Sequence, residues 1–535
     1  RVAESAAWHL EDCINDYGIA TLAEALGDPL YASYFRQRSL AYANLFSPSL
    51  GFFRGKRLDG DFRTPDSAFR PNEWGNEFSE GSAWQYVAAA NHDPRGMAEL
   101  YGGLEPFANK LDAVLHASRD FAHGSYESVL HEMREAYDAN MGQYAHSNEP
   151  VQHMLYMFDY AGQPWKTQRY VREVSTRLYG SGLADGRGYL GDEDNGQMSA
   201  WYVWSALGFY PASPGHAEYA IGSPLHDRMA LHLENGRTFA VVARNQRADH
   251  PYIQKATLDG APYNKVYLSH ETILRGGVLE LVMGAAPSAW GAAPEARPSS
   301  ITLDSHPPVA LADCARDGRV IASGENAAGH EGGEQAFDDD SNTKWLTFAS
   351  SGSLEYALRK PCVMQMYTLT SADDAPARDP SDWTLEGSHD GSTWILLDAK
   401  HGESFRWRHQ TRVFGTRNRD GYEYYRLRIT KNHSDAATQL AEVELLRAAD
   451  DSDEYGHGTM PGRSGCSASP RANSPTWFYG IPWMIWLRRR TRRALHLKRR
   501  SVAGRNPPTT TSTHTRCDTT ATNEAARSTA RLTTR

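Results

Sequence analysis

The 535-residue chain contains few cysteines and lacks a long apolar run. Its five cysteines are too few and too scattered for a disulfide scaffold, and none forms the Cys-x-x-Cys pair that holds structural zinc. The longest apolar stretch, residues 477–487, covers about 11 residues and is broken by Pro482, whereas a membrane-spanning helix needs roughly 20. The sequence therefore predicts no transmembrane segment and leaves the redox compartment open.

The chain also lacks an excess of positive charge over most of its length. It carries 56 Lys and Arg against 65 Asp and Glu. Residues 451–535 hold 15 basic and 5 acidic side chains, a net charge of +10, so residues 1–450 carry a net charge of −19. Such an acidic body argues against nucleic acid as a ligand. With 40% hydrophobic and 11% aromatic residues, disorder throughout the chain is also excluded.

Composition and periodicity divide the chain into about three folded domains and a tail. In residues 1–212 apolar side chains recur at helical spacing, and Pro and Gly mark the loops between them. Helices are predicted over residues 2–26, 29–45, 81–90, 106–116, 149–160, 164–178 and 197–207. Many helices joined by polar loops indicate a helical barrel or bundle.

A β-rich segment is predicted over residues 213–292, because the period of the apolar pattern changes there to two. Two dipeptides, Asn235-Gly236 and Asp259-Gly260, mark turns within this segment. We therefore expect the β-rich segment to complete the helical region rather than to continue it as further helices.

Three further zones follow. Residues 293–312 are rich in Pro, Ala and Ser, which indicates a linker. Residues 313–448 alternate short strand patterns with turn clusters, as a β-sandwich does. Residues 449–535 are rich in Thr, Ser and Arg without sustained periodicity, so we expect them to be disordered. A membrane-surface anchor or a translation out of frame would give the same composition.

The densest acidic site lies in a loop of the helical region. Asp192 and Asp194 lie two residues apart just before the helix predicted at residue 197, so both carboxylates can face one cavity. The N-terminus of a helix stabilises anions and would keep such a carboxylate ionised as a base. The alternative is that these side chains only cap the helix.

A second acidic loop places three carboxylates, Glu73, Glu77 and Glu80, among aromatic side chains ahead of a predicted helix. Aromatic faces stack on the C–H faces of a sugar ring, and an apolar surrounding favours the protonated carboxyl that a general acid needs. The pattern is therefore typical of a sugar site. The alternative is a solvated helix entry with a tryptophan in the core.

Two adjacent pairs are further candidates. Asn148 and Glu149 offer the hard oxygen ligands that calcium takes, although Asn148 is equally suited to capping a helix. His131 and Glu132 are neighbours on a predicted helix, where such a pair commonly lies on the surface.

Five strings, in order along the chain, resemble glycoside hydrolase family 92, a family of α-mannosidases. They are Asn72-Glu-Trp-Gly with Glu80-Gly-Ser-Ala-Trp-Gln-Tyr, Asn140-Met-Gly-Gln-Tyr-Ala-His with Asn148-Glu-Pro, Ala161-Gly-Gln-Pro-Trp-Lys-Thr, Asp192-Glu-Asp-Asn-Gly-Gln-Met-Ser-Ala-Trp, and Gly208-Phe-Tyr-Pro with Ile221-Gly-Ser-Pro-Leu. The resemblance covers about residues 1–292. It implies an exo-acting, calcium-dependent α-mannosidase that inverts the anomeric configuration.

The resemblance implies a role for each acidic candidate. Glu80 corresponds to the general acid and Asp192 or Asp194 to the general base of an inverting glycosidase, whose carboxyl groups stand about 6.5–9.5 Å apart. Calcium would bind O2 and O3 of mannose and help distort the ring. Asn148 and Glu149 are its expected protein ligands.

The resemblance also implies the substrate contacts. His131 and Glu132 match the pair that recognises the leaving sugar in members acting on α-1,2 linkages, which favours that linkage. Trp84 and Trp165 are expected to contact the sugar as well. Mannose-containing glycans are thus the expected partner, and because they lie mostly outside the cytosol, we expect a secreted or cell-surface protein.

A second resemblance covers about residues 315–447 and is to discoidin-like domains of the coagulation-factor C type. The strings are Ala322-Ser-Gly-Glu-Asn, Glu334-Gln-Ala-Phe-Asp-Asp-Asp-Ser-Asn-Thr-Lys-Trp, Trp383-Thr-Leu-Glu-Gly-Ser-His-Asp-Gly-Ser-Thr-Trp, and Tyr424-Tyr-Arg-Leu with Glu442-Val-Glu-Leu. It implies a jelly-roll β-sandwich that serves as a carbohydrate-binding accessory module or as a spacer without a ligand.

Members of the mannosidase family begin with a large N-terminal β-sandwich and the first helices of an (α/α)6 barrel, whereas this chain matches from inside the barrel onward. We therefore expect the chain alone to have little or no activity. Two rival functions remain: a non-catalytic glycan-binding protein that acts through the discoidin-like domain, and a different helical-barrel glycosidase or lyase that uses the same carboxylates.

Overall fold

The computed structural model describes residues 3–57, 60–180 and 188–447. Within these ranges a helical region comes first, a β-rich region second and a β-sandwich last. The tail predicted over residues 449–535 lies outside the described residues. None of the helices in the described ranges is both long and apolar enough to cross a membrane.

The helical region contains most of the predicted helices and one, over Pro94–Leu100, that was not predicted. They are α1 (Ser5–Ala25), α2 (Pro29–Arg38), α3 (Pro94–Leu100), α4 (Leu104–His116), α5 (His131–Ala139), α6 (Met157–Tyr160), α7 (Pro164–Arg177) and α8 (Gln197–Leu207), with a short hairpin of β1 (Phe46–Ser47) and β2 (Phe52–Phe53). Local sequence explains several starts: Asp28 caps α2 and Asp93 caps α3, each followed by a proline at the first helical position.

The helix predicted over residues 81–90 is wrong, because the structure forms a series of turns there. The side chain of Gln85 accepts hydrogen bonds from the backbone amide and the hydroxyl of Ser82, both at 2.7 Å, and donates to the carbonyl oxygen of Gln143. These bonds satisfy the amide and hydroxyl of Ser82 and tie the turns to the segment around Gln143.

Two other predicted helices are broken into shorter pieces. The helix predicted over residues 29–45 ends at Arg38 and continues as a 3₁₀ helix over Ser39–Leu45. The segment predicted over residues 149–160 consists of the 3₁₀ turns Glu149–Val151 and Met154–Tyr156 before α6.

The β-rich prediction is confirmed. The strands are β3 (Phe209–Tyr210), β4 (Glu218–Ile221), β5 (Arg228–His232), β6 (Thr238–Arg244), β7 (Tyr252–Leu258), β8 (Ala261–Pro262), β9 (Tyr267–Ser269) and β10 (Gly277–Gly284), and a short helix, α9 (His270–Arg275), interrupts them. They form a sheet in the order β5-β6-β10-β7-β8 and a smaller one in the order β3-β4-β9. Gly236 and Gly260 sit at the two predicted turns with φ of 80° and 84°.

The β-sandwich prediction is also confirmed. Its strands are β11 (Ala312–Asp313), β12 (Arg319–Ala322), β13 (Trp345–Thr347), β14 (Gly352–Cys362), β15 (Met366–Thr370), β16 (Pro380–Ser388), β17 (Ile395–Lys400), β18 (Thr411–Gly415), β19 (Tyr422–Asn432), β20 (Thr438–Leu440) and β21 (Glu442–Arg447). One sheet has the order β11-β21-β15-β18, the other β12-β14-β19-β16-β17, and β13 pairs with β20.

Side chains of both large sheets share one core. Trp383 of the second sheet donates a 2.9 Å hydrogen bond from its indole to the hydroxyl of Tyr367 in the first, and both are fully buried. A disulfide joins Cys314 to Cys362 within this domain. Packing of two sheets over a common apolar layer is what defines a sandwich.

The sandwich also touches the helical region. Leu30 and Tyr34 of α2 pack against Met366, Val413 and Leu446 of the first sheet. The segment predicted as a linker is hydrogen-bonded to the helical region as well: the buried carboxylate of Asp93 accepts bonds from the side chain of Ser300 at 2.6 Å and from the backbone amide of Thr302 at 2.8 Å.

Candidate active site

A cavity of about 370 Å³ opens between loops of the helical region, within the size range of small-molecule sites. Residues from three other parts of the chain and one face of α1 form its walls. They are Glu11, Ile14, Ser79, Glu80, Tyr86, Ala89, Asn91, Asn148, Glu149, Pro150, His153, Tyr210, Pro211, Ala212 and Pro214. The sequence-predicted residues Glu80, Asn148 and Glu149 are thus brought together around one space.

Glu80 is held by its backbone rather than by a regular element. Its N–H donates a 2.6 Å hydrogen bond to the hydroxyl of Tyr126, and its carbonyl oxygen accepts from the side-chain amide of Asn148. Its φ of 43° lies in the left-handed region, which costs a non-glycine residue about 1 to 3 kcal/mol. A strained residue whose side chain lines a cavity is typical of a functional position.

The other two glutamates of this loop have structural partners. Glu77 is buried and accepts a 2.7 Å hydrogen bond from the backbone amide of Gly55. Glu73 accepts from the side-chain amide of Asn76 at 2.5 Å. Of the three carboxylates in the predicted sugar loop, Glu80 is therefore the one whose side chain lines the cavity.

Asn148 does not act as a helix cap, so that alternative is wrong. It precedes the 3₁₀ turn Glu149–Val151, but its side-chain oxygen accepts no capping bond, and its amide nitrogen donates to the carbonyl oxygen of Glu80. The pKa of Glu149 is raised by burial and by the negative charges of Asp194, Glu80 and Glu132. The acidic candidates from four separate segments therefore lie within electrostatic reach of one another.

The Asp192 loop does not cap α8 either. The N-cap is Gly196, and Glu193 is the carboxylate that binds the first turn, accepting from the backbone amide and the hydroxyl of Ser199 at 3.0 and 2.8 Å. Asp194 has a φ of 48°, again in the left-handed region. Neither catalytic candidate in this loop is used as a cap.

The expectation that a helix N-terminus dominates the ionisation of this loop is wrong for Asp194. Its pKa is raised by burial and by the negative charges of Asp192, Glu135 and Glu80, against which His131 lowers it. Burial and the neighbouring carboxylates therefore raise the pKa of Asp194, whereas a helix N-terminus would lower it.

His131 and Glu132 begin α5, where the side chain of His131 is 54% exposed, as the surface alternative expects, but that of Glu132 is only 12% exposed. The ring of His131 lies 3.0 Å from a carboxylate oxygen of Glu132 through Nε2 and 3.0 Å from one of Glu135 through Nδ1. The pKa of Glu132 is raised by burial and by Glu80 and Glu135. This pair thus belongs to the same acidic group as Glu80.

Trp84 and Trp165 lie outside the lining of the cavity. The ring of Trp84 packs edge-on against Phe52 at 4.8 Å, and the ammonium of Lys166 lies 5.4 Å from the ring of Trp165. Neither tryptophan is among the described residues that line the cavity, so their contact with substrate stays a prediction.

Aromatic lining comes instead from Tyr86 and Tyr210. Neither tyrosine was among the candidate residues, although each lies in one of the five family-like strings, and that position is the signal that could have identified them. The donor set around the cavity is rich in oxygen, but the described part of the chain shows no cluster of three or more His, Cys, Asp or Glu side chains arranged for a metal ion.

Two solved structures of family GH92 are similar to this chain. The structure of a family GH92 inverting mannosidase from Bacteroides thetaiotaomicron VPI-5482 is 46% identical, with a TM-score of 0.50 over 56% of this chain and 40% of that one. A family GH92 α-mannosidase from Bacteroides thetaiotaomicron, in complex with mannoimidazole, is 31% identical, with a TM-score of 0.52 over 57% of this chain and 39% of that one.

A curated relative shows the same likeness in sequence. An uncharacterized secreted glycosidase from Arthroderma benhamiae is 26% identical over 315 residues, which are 55% of this chain and 37% of the relative. The chain therefore spans about two fifths of the length of the relatives it matches. The model of the glycosyl hydrolase family 92 catalytic domain matches residues 1–285. Because that match covers more than half of the 535 residues, the chain belongs to glycosyl hydrolase family 92.

Proposed function

We propose that the chain forms the catalytic part of an exo-acting α-mannosidase that removes terminal α-linked mannose with inversion. The observation that carries the proposal is that Glu80 and Glu149 line one cavity in a family 92 chain, with Asp194 outside its lining but close enough to raise the pKa of Glu149. The inverting mannosidase and the mannoimidazole complex among the similar structures support mannose as the sugar. In this proposal the helices of residues 1–212 belong to an (α/α)6 barrel.

The residues divide the reaction into an acid and a base role. Glu80, protonated, gives its proton to the glycosidic oxygen as the bond from C1 to that oxygen breaks. A water molecule on the opposite face of the ring attacks C1 and loses a proton to Asp192 or Asp194. The products are the shortened glycan and mannose of inverted configuration. Proton exchange with solvent then restores both carboxyl groups.

Calcium fits the chemistry of the donors at this site. The amide nitrogen of Asn148 is bound to Glu80, so its amide oxygen is the atom available to a cation, and the adjacent Glu149 carboxylate stands among other negative charges. Hard oxygen donors of this kind suit calcium, which takes six to eight oxygen ligands. Calcium held by Asn148 and Glu149 would bind two mannose hydroxyls and polarise the sugar toward its transition state.

The substrate class follows from the same proposal. Mannose-containing glycans are the substrate, with α-1,2 as the favoured linkage, and Glu132 lies in the acidic group where a leaving sugar would sit. A secreted or cell-surface location is proposed because such glycans are mostly extracellular, and the fungal relative named as a secreted glycosidase supports it.

The direct test is release of free mannose from α-1,2-mannobiose, with and without a calcium chelator. It is made on this chain and on the same chain extended at its N-terminus by the β-sandwich and first barrel helices of a family relative. Glu80→Gln should abolish release, whereas Glu73→Gln, in the same loop but away from the cavity, should not. Proton NMR of the first-formed anomer reports inversion.

Two results would contradict the proposal. Retention of release in Glu80→Gln would remove Glu80 from the acid role. No release from α-1,2-, α-1,3- or α-1,4-mannobiose by the extended form would favour another helical-barrel glycosidase or lyase, or the binding protein described next.

A glycan-binding role for the β-sandwich is the second candidate, and exposed aromatic side chains favour it. Phe348 is 73% exposed and Trp407 is 61% exposed. Both lie in loops tied to the same part of the sandwich: Thr438 donates to the carbonyl oxygen of Ala349, and Ser371 to that of Trp407. Exposed aromatic rings are suited to stacking on sugars.

Calorimetry with mannan tests this second role. Binding that survives in the Glu80→Gln, Asp192→Asn double variant but is lost in Trp407→Ala would place it in the sandwich. Leu396→Ala removes an exposed apolar side chain elsewhere in the sandwich and is the matched control.

A further inference from the structure

The candidate acid Glu80 belongs to a loop that closes on itself, since the backbone amide of Gly75 donates a 3.0 Å hydrogen bond to the carbonyl oxygen of Gly81. Within this loop the φ of Glu80 is 43°, which is unfavourable for a glutamate. Such a backbone conformation persists only where surrounding groups hold it. The contacts that hold the backbone of Glu80 therefore also decide where its carboxyl group can reach.

One of these contacts comes from Tyr126. The backbone N–H of Glu80 donates a 2.6 Å hydrogen bond to the phenolic oxygen of Tyr126. A phenol has a single proton to give and can accept as well. Because Tyr126 accepts from Glu80, its own proton is free to go to another acceptor, and the Oε1 atom of Glu4 lies 3.2 Å away to receive it. Glu4 therefore orients the hydroxyl that holds Glu80.

Glu4 also holds the residue before Glu80. The hydroxyl of Ser79 donates a 2.6 Å hydrogen bond to the Oε2 atom of Glu4, and the backbone N–H of Glu4 donates to the carbonyl oxygen of Asn76 at 2.9 Å. One carboxylate thus bonds both Ser79 and the tyrosine that bonds Glu80. The two contacts restrain the loop on either side of the Glu80 amide.

The segment that carries Tyr126 lies directly against the same loop. The backbone N–H of Asn76 donates a 2.8 Å hydrogen bond to the hydroxyl of Ser125. A Cβ on Gly75, whose φ is 78°, would lie 2.3 Å from the hydroxyl oxygen of Ser125 and 2.9 Å from the ring of Tyr126. This close packing leaves the tyrosine little room to shift away from Glu80.

We infer that Tyr126 and Glu4 are positioning residues that hold the backbone of Glu80 so that its carboxyl group reaches the glycosidic oxygen. The inference rests on the proposed function, in which Glu80 is the general acid. Neither Tyr126 nor Glu4 is among the described residues that line the cavity, so both act through Glu80 and not through the substrate.

The kinetic test uses Tyr126→Phe, which keeps the ring and removes the hydroxyl. In the N-terminally extended form, kcat is measured on α-1,2-mannobiose and on dinitrophenyl α-mannoside. A sugar leaving group needs a proton as it departs, whereas dinitrophenolate leaves without one. A displaced acid should therefore lower kcat on mannobiose by roughly 10- to 100-fold and on the dinitrophenyl substrate by less than about twofold. Tyr137→Phe, at a tyrosine that is 51% exposed, is the matched control and should change neither.

Glu4 is tested with two substitutions. Glu4→Ala should reproduce the substrate dependence of Tyr126→Phe, whereas Glu4→Gln should restore most of kcat on mannobiose, because its amide oxygen can still accept from Tyr126. Thermal melts of each variant show whether it folds. Equal losses on both substrates would show a general structural role, and wild-type kcat on mannobiose in Tyr126→Phe would show that the bond is without effect. Either result overturns the inference.

Hydrogen exchange gives a readout that needs no activity. In this chain without the extension, exchange of the Glu80 amide, resolved by mass spectrometry with fragmentation to single residues, should be roughly tenfold faster in Tyr126→Phe and unchanged in Tyr137→Phe. Equal exchange in Tyr126→Phe and the wild type would refute the bond.

The failure of this inference is distinguishable from failure of the proposed function. Mannose release that survives Glu80→Gln, together with faster exchange in Tyr126→Phe, would count against the proposed acid role. Loss of release in Glu80→Gln, with wild-type kinetics in Tyr126→Phe, would count against the positioning role alone.

Discussion

The side-chain amide of Asn148 donates a hydrogen bond to the backbone carbonyl oxygen of Glu80, joining two loops that are 68 residues apart in sequence. This bond connects the backbone of Glu80, the candidate general acid, to Asn148, a candidate calcium ligand. Positioning of a catalytic group to well within 1 Å is worth about two orders of magnitude in rate, so the bond has a kinetic consequence.

Asn148→Ala should lower kcat by roughly 10- to 100-fold, because Glu80 loses the bond that holds its carbonyl. The measurement is kcat for an aryl α-mannoside over a range of calcium concentrations. Asn72→Ala, which removes an exposed amide bound to the carbonyl of Asp120, is the control. Full recovery of kcat at saturating calcium would show that the amide matters only as a metal ligand.

Gly191→Ala should destabilise the chain by about 1 to 3 kcal/mol and lower kcat. The new methyl group would meet Glu135 at 2.5 Å and Ser147 at 2.6 Å, at a φ of 80°. Denaturant unfolding and kcat are the measurements. Gly188→Ala is a matched control, since Gly188 also has positive φ, 92°, but no atom within 4 Å of its Cβ position. An equal effect at both sites would attribute the cost to backbone strain alone.

Lys110→Met should raise the melting temperature, and more at pH 6 than at pH 9. Burial lowers the pKa of Lys110 to about 7, and its ammonium lies 3.2 Å from the ring centre of Phe52 and 4.6 Å from that of Trp84. The folded state therefore disfavours the charged amine: the cost is full below pH 7 and fades as the pH rises toward the ordinary lysine value of about 10.4.

Thermal melts at the two pH values check this prediction, with Lys255→Met at an exposed position as the control. A melting temperature that falls equally at both pH values would mean that attraction between the ammonium and the two rings outweighs the burial of the charge.

Glu442→Gln should stabilise the sandwich at pH 8 but not at pH 4. Burial and the negative charges of Asp338, Asp339 and Glu444 raise the pKa of Glu442 to about 8. The folded state thus prefers the protonated acid. The contribution of Glu442 to stability is therefore highest below about pH 4 and falls as the pH rises to 8. Glutamine mimics the protonated form and should gain roughly 1 to 4 kcal/mol at pH 8.

Calorimetric melts in chelator-treated buffer check the gain, with Glu334→Gln, an exposed glutamate of the same domain, as the control. A stability difference that does not change between pH 4 and pH 8 would show that Glu442 is not protonated in the folded chain.

Periodic patterns predicted the regular elements of this fold well. The helix expected over residues 197–207 is α8, because its apolar spacing and its flanking glycines are local signals. The segment 81–90 could not be predicted in the same way, since the partner that satisfies Gln85 is the carbonyl of Gln143, 58 residues away. Local helix propensity carries no information about that long-range contact.

The candidate site also combines features that the sequence predicted with features that it could not predict. Acidic strings identified Glu80, Asn148 and Glu149, which do line one cavity. The raised pKa of Asp194 could be read only in part from its own loop, because burial raises it most, Asp192 of the same loop adds to it, and Glu135 and Glu80 from distant segments contribute further. The packing of the Trp84 ring against Phe52 could not be predicted from its neighbours along the chain either, because it is a tertiary contact.

The bonds from Ser300 and Thr302 to Asp93 change how the sandwich would act on a polymeric substrate. A module on a free linker raises the local substrate concentration by random sampling, with an effective molarity set by linker length. Here the connecting segment is hydrogen-bonded to Asp93 at the start of α3. The reach of the sandwich is therefore set by this attachment and not by the length of a free linker. A glycan bound by the sandwich would approach the cavity from one direction. Inserting residues next to Ser300 and Thr302 would make that direction less defined rather than lengthen the reach of the sandwich.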